Sequence, residues 1–162
     1  MKPNRRKELK NVKSYRPSKK ASTRPLIFPD LHEKYEDEME DLLQYDGTEE
    51  IEIPGTFLGE IPASTNLPVN HLVKMLDMSK TTFYRVKQEV MLDMDTVDKL
   101  SAVFKIYDRG AEAFEGEEAF DDWMNTKIAT LGNRRPIDML SKENGRVAVL
   151  EAIDRVEYGV YG

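Results

Sequence analysis

A chain of 162 residues with 40% apolar side chains has room for one domain or two small ones, built on a modest core. It contains no cysteine, which excludes disulfides, thiolate metal sites and a cysteine nucleophile; its two histidines, His32 and His71, have no second histidine at ligand spacing, so no metal site is expected. The net charge of −6 hides a segregation: residues 1–24 hold ten Lys or Arg against one Glu, residues 25–60 one Lys against twelve acids, and residues 61–162 thirteen basic against seventeen acidic residues.

The basic N-terminal stretch has few large apolar residues, chiefly Leu9, Val12 and Tyr15, too few to offset the entropy of ordering it. A flexible basic tail over residues 1–28 is predicted. No apolar run follows it to make a signal peptide, and none elsewhere has the length of a membrane span, so the expected location is the cytoplasm, without membrane contact.

Residues 29–66 read as an acidic helix and a linker. Pro29 and Asp30 suit a first turn, and Leu31, Tyr35, Met39, Leu42 and Leu43 recur at helical spacing, which predicts one helix from Asp30 to Tyr45. Ile51 to Ile53 then reads as a short extended piece, Pro54-Gly55 as a turn, and the Pro-punctuated stretch to Pro68 as a linker or loosely packed cover.

From Leu67 onward the pattern becomes that of successive helices. Val69, Leu72, Val73 and Leu76 form one stripe; Phe83, Val86 and Val90 a second; Val97, Leu100, Phe104, Tyr107, Ala111 and Phe114 a third, with Gly116 as its stop. Ala119, Phe120, Trp123 and Met124 mark a fourth helix, Leu131-Gly132-Asn133 a loop, Pro136 the start of a fifth, and Val149, Ile153 and Val156 the face of a last helix ending at Gly159. The predicted fold is all-α.

Within residues 67–114 the segment Leu72 to Val86 carries a helix-turn-helix signature: Leu76, Met78, Phe83 and Val86 fall at the last turn of a first helix, the turn plug and two inward positions of a recognition helix. Ser79 suits its N-cap. Ser79, Lys80, Thr81, Thr82, Tyr84, Arg85 and Lys87 are then the candidate DNA-contacting residues, donors able to reach phosphates and base edges. Asp77 stands at the turn position usually held by glycine and can tolerate a left-handed backbone at some cost; Val73 stands where a smaller residue commonly lets the helices approach. The sequence holds no phosphate loop, no HExxH and no nucleophile paired with a base, so no catalytic residues and no cofactor are expected, and the chain is not read as an enzyme.

The last stretch carries the most specific pattern: Trp123, then Leu131-Gly132-Asn133-Arg134-Arg135-Pro136-Ile137-Asp138-Met139-Leu140, then Gly145, and finally Arg155-Val156-Glu157-Tyr158-Gly159-Val160-Tyr161. Taken residue by residue, Gly132, Pro136 and Trp123 read as structural, and Gly145 as a close helix approach. In order and spacing, Phe114 to Gly162 resembles the toxin-binding domain of the MbcA/ParS/Xre antitoxin family, and Leu67 to Phe114 resembles the Xre-like helix-turn-helix region that precedes it there.

The resemblance implies a helix-turn-helix domain at 67–114 and a small toxin-binding domain at 115–162. It also implies a type II antitoxin, a cognate RES-like NAD-consuming toxin as partner, and autorepression through operator DNA as a homodimer within a toxin–antitoxin hetero-oligomer. In such relatives the C-terminal end covers the toxin's active-site cleft. Carried over, Gly159, Val160, Tyr161 and Gly162 would occupy that cleft, with Arg134, Arg135, Arg155 and Tyr158 at its rim. The alternative is a stand-alone helix-turn-helix transcriptional regulator whose C-terminal helices only dimerise.

Overall fold

The structure, a computed structural model, describes residues 27–159. Over that range it is all-α, with eight helices: α1 (Pro29–Lys34), α2 (Glu36–Gln44), α3 (Gly55–Ser64), α4 (Val69–Met75), α5 (Lys80–Val86), α6 (Met94–Ala113), α7 (Glu117–Met124) and α8 (Glu143–Glu157). Two 3-10 turns, Ala129–Leu131 and Pro136–Met139, lie between α7 and α8. None of the described helices is long and apolar enough to cross a membrane.

The tail expected over residues 1–28 falls outside the described residues as far as residue 26. Its last two members, Ile27 and Phe28, do not belong to a solvated tail: both are buried in the core, which draws that boundary back. The single helix expected from Asp30 to Tyr45 is two helices. Tyr35 leaves the helical backbone (φ −136°, ψ 53°) but still connects the two: its N–H donates to the Leu31 carbonyl at 2.9 Å and its carbonyl accepts from Met39 at 3.0 Å. The break lets the Tyr35 ring pack edge-on against Phe57, with centroids 5.3 Å apart.

The stretch expected as a turn and linker is α3, a packed helix. Ile53, Phe57, Leu58 and Ile61 are fully buried. Burying a side chain of that size contributes roughly 1.5–3 kcal/mol, so the three on the helix outweigh the roughly 3 kcal/mol penalty of a helix-interior proline, here Pro62. Gly55 is not a turn residue but the first residue of the helix. A Cβ there would lie 2.3 Å from the Glu89 carbonyl oxygen and 2.7 Å from that of Val86, so glycine lets α3 start directly against the end of α5. Val90, expected inward with Phe83 and Val86, is 82% exposed: α5 ends at Val86, and the loop after it bonds Leu92 N–H to the Ile53 carbonyl at 2.7 Å.

The long helix α6 is the spine. It starts on an Asp93 N-cap, whose carboxylate accepts from Thr96 N–H at 2.8 Å, and it packs against α2, α7 and α8. Where α2 meets it, Ser101 Oγ donates to the Leu42 carbonyl at 2.7 Å, Tyr45 OH donates to Asp98 at 2.6 Å, and Lys105 donates to the Tyr45 carbonyl. The bonds from Ser101 and Lys105 occupy carbonyls at the C-terminal end of the acidic helix that would otherwise lack partners. Buried residues from Ile27 to Ile153 make one continuous core. A row of rings threads it, Phe57 to Phe104 to Phe28 to Tyr107 to Phe120, at centroid separations of 5.3–5.9 Å.

Candidate functional site

Helices α4 and α5 are joined by a turn that closes α4 through two backbone bonds. Met78 N–H donates to the Val73 carbonyl at 3.0 Å and Asp77 N–H to the Lys74 carbonyl at 3.1 Å. This closure requires a left-handed residue between them, and Asp77 supplies it with φ +52°. A side chain bearing Cβ pays roughly 1–2 kcal/mol for that conformation. Lys142, whose ammonium lies 2.9 Å from the Asp77 carboxylate, holds that carboxyl below its usual range by hydrogen bonding and charge. Met78 packs half-buried against the core as the turn plug.

Ser79 is the N-cap of α5: its Oγ accepts from Thr82 N–H at 3.0 Å and donates to Thr82 Oγ1 at 3.0 Å. Phe83 and Val86 face the core. Of the candidate DNA-contacting residues, Ser79, Lys80, Thr81, Tyr84 and Arg85 are exposed, whereas Thr82 and Lys87 are half-buried. Thr82 is committed to the cap, and Lys87 lies over the Tyr84 ring, 4.9 Å from its centroid. Arg85 reaches Glu89 at 3.8 Å, a loose exposed pair.

The C-terminal candidates lie on the loop before α8 and at the far end of α8. Gly145, in its first turn, meets the Pro136–Met139 turn: a Cβ there would lie 1.9 Å from the Met139 carbonyl oxygen. Arg146 bonds the Leu140 carbonyl at 3.0 Å from the same end. Arg135 opens that turn and holds Asp138 with two bonds, at 2.8 and 3.1 Å, while Arg134 Nε donates to the Leu131 carbonyl at 3.0 Å. Arg155 and Tyr158 stand at the opposite end, both exposed, with Gly159 in a left-handed conformation (φ +68°) after them. At 1.5 Å per residue, Gly145 and Tyr158 are about 20 Å apart. Arg135 and Tyr158 therefore do not share one spot, and Val160, Tyr161 and Gly162 lie outside the described residues.

A residue that sequence reasoning missed fixes the C-terminal end of α8. Arg109 of α6 reaches Asp154 at 2.9 Å, Glu157 in close contact and Glu112 at 3.6 Å, and Glu157 is in turn held below its usual range by the guanidinium. Only the Arg109–Glu112 spacing was visible in the sequence; the two bonds to α8 span 45 and 48 residues. Nearby, Gly110 leaves room for Phe120, whose ring would lie 2.2 Å from a Cβ, and Phe120 stacks on the half-buried Trp123 at 5.9 Å. Among the described residues no three His, Cys, Asp or Glu side chains are grouped to hold a metal.

Two comparisons bear on this arrangement. A protein of Yersinia enterocolitica (serotype O:8 / biotype 1B) named Antitoxin Xre is 31% identical over 65 residues, a match spanning 40% of this chain and 44% of that protein. Residues 109–159 match the family described as the antitoxin Xre/MbcA/ParS C-terminal toxin-binding domain. That match opens on Arg109 and so takes in the last turn of α6, together with the glycine contacts and the ion pairs that fix α8. Through these residues the C-terminal third of the chain is similar to the toxin-binding domain of the Xre/MbcA/ParS antitoxins, and the match spans less than half the length of the Yersinia relative.

Proposed function

We propose that this chain is the antitoxin of a type II toxin–antitoxin pair, acting in the cytoplasm on a RES-like, NAD-consuming toxin. The observation that carries the reading is the match of residues 109–159 to a toxin-binding domain, together with what stands at the end of that domain. Along α8, Val147, Glu151, Arg155 and Tyr158 lie at spacings of four, four and three, all exposed, so the helix offers one outward stripe with an apolar side chain at each end. Tyr158, 76% exposed, has the form of an interface anchor: a large ring with a polar tip. Arg155 lies on the same stripe and suits an acidic toxin surface; Arg134 and Arg135, at the other end, widen the contact. The segment that follows, Gly159 with Val160, Tyr161 and Gly162, fills the pocket that NAD would need, so inhibition is by occlusion.

Deleting residues 158–162 keeps every bond from Arg109 to α8. The shortened chain should fold as before and lose most of its ability to stop NAD consumption by the toxin encoded beside it. Full retention of inhibition would sink the occlusion reading.

The same chain represses its own operon as a homodimer, each protomer laying α5 in a major groove. Ser79, Lys80, Thr81 and Arg85 are its outward contacts, Tyr84 packs along a sugar edge, and Thr82 and Lys87 shape the helix beneath. The support for this is the capped, two-turn α5 with its polar side outward, and the excess of Lys and Arg in residues 1–24, which suits salt-sensitive phosphate contacts.

A further inference from the structure

Between the α4–α5 turn and the toxin-binding domain runs an open groove, with Val73, Lys74, Asp77 and Ser79 on one wall and Asp138 and Ser141 on the other. Its floor is the packing of α4 against the Pro136–Met139 turn. Ser79 caps α5, so the loop between that turn and α8 stands directly beside the start of the proposed recognition helix. The carboxylates of this groove are both matched from within the chain: Arg135 holds Asp138 with two bonds, and Lys142 lies 2.9 Å from Asp77. Lys74 and Lys80, both exposed, then leave the rim positive. Lys142 itself is 73% exposed at its side chain, on a long stem that moves at little cost.

We infer that residues Ser141 and Lys142 of the toxin-binding domain are a second DNA contact, taking the phosphate backbone that flanks the groove entered by α5. The inference rests on α5 being the DNA-reading helix. A duplex that admits Ser79 and Lys80 into a major groove about 12 Å wide carries its bordering phosphates past the opposite wall of this cleft. There Lys142 exchanges Asp77 for a phosphate, and Ser141 Oγ donates beside it. This loop lies at the Gly145 end of α8, about 20 Å from the Tyr158 anchor of the proposed toxin contact.

The full-length chain is titrated against a labelled duplex of about 30 base pairs, long enough for two half-sites, taken from the DNA upstream of its gene, at several salt concentrations. Lys142→Ala should weaken binding roughly fivefold near 0.1 M salt and flatten the salt slope by about one phosphate. Asp77→Asn should tighten binding by about twofold, because it releases Lys142 while keeping a residue that tolerates the left-handed turn. Thermal melting of each variant checks that the fold is intact. If Arg85→Ala weakens binding while Lys142→Ala leaves affinity and slope unchanged, the second contact is overturned and α5 stands. If Lys142→Ala and Asp77→Asn both weaken binding, the pair only braces the turn, and the second contact is again overturned. If the unaltered chain does not bind the duplex, or Arg85→Ala has no effect, the reading of α5 fails and this inference with it.

Discussion

α5 is seven residues long and places Phe83 and Val86 in the core; α8 is fifteen residues long and is fixed at both ends, by Gly145 against Met139 and by Arg109 on Asp154 and Glu157. A seven-residue helix has little stability of its own and depends on what surrounds it. The surroundings here are the Ser79 cap, the left-handed Asp77 and the close approach of Gly55, none of which uses an outward side chain of α5. At α8 the residues that fix the helix also aim its last turn. Apart from Ser79, the proposed DNA-contacting residues can therefore change with little effect on stability, whereas changes to the anchors of α8 should alter stability and partner binding together.

The strongest way to break that contrast is Gly145→Ala. Alanine would gain about 1 kcal/mol of helix propensity over glycine. Against this, its Cβ would fall 1.9 Å from a backbone carbonyl oxygen, which cannot swing aside as a side chain would. Overpacking of this kind costs typically 1–3 kcal/mol, at the upper end when backbone must move, so a net loss of about 2 kcal/mol in urea unfolding is expected, together with weaker toxin binding. A variant as stable as the parent would mean that α8 is free to slide on the Pro136–Met139 turn.

The opposite half of the contrast is sharpened by Lys80→Ala combined with Arg85→Ala. Both side chains are exposed, and the Arg85–Glu89 pair at 3.8 Å contributes under about 0.5 kcal/mol. Urea unfolding should be unchanged within that amount. Binding to operator DNA should fall roughly 30-fold, about 2 kcal/mol, with a shallower salt dependence. Unchanged binding would remove α5 from the DNA interface.

How far each region could be read in advance follows from the range of its contacts. Periodicity showed α4 to α8 because their apolar stripes are local, and the helix-turn-helix spacing put Asp77, which the structure finds left-handed, at the turn position usually held by glycine. It failed on α3, where Pro54, Gly55, Gly59 and Pro62 carry the signs of a turn. Gly55 is there for a contact with Val86 and Glu89 more than thirty residues away, and such contacts leave no mark on local spacing. The same holds for Tyr35, which breaks a regular stripe to reach Phe57, and for Arg109, whose partners Asp154 and Glu157 lie on the last helix. Of the candidate site residues, those on α5 were legible as a face. The C-terminal group was legible as a pattern but not as a place, since Arg135 and Tyr158 prove to be at opposite ends of α8.

The smallest expected effect concerns the joint between the two halves. Asp121, on α7, is half-buried and has its carboxyl pushed up first by desolvation, against which an Asn66 side-chain hydrogen bond pulls it down, with Asp122 adding to the rise. Glu117, one turn earlier, is raised for the same reason and accepts from Phe28 N–H. Beneath them the Tyr107 hydroxyl is buried without a hydrogen-bond partner, and both carboxylates push its ionisation further up. A carboxyl whose folded value is raised contributes stability that is present in full below its unfolded pKa and is lost as pH rises through the folded one. At neutral pH the ionised Asp121 is thus a net cost, and Asp121→Asn removes the charge while keeping an oxygen to accept from Asn66. The variant should be more stable than the parent at pH 7, by under about 1 kcal/mol given the screening at a half-exposed site. The gain should shrink on acidification and vanish below about pH 3, where the parent is protonated too. A variant less stable than the parent at pH 7 would show instead that the negative charge of Asp121 holds α7 to Asn66, and that the junction between the N-terminal half and the toxin-binding domain relies on that charged contact.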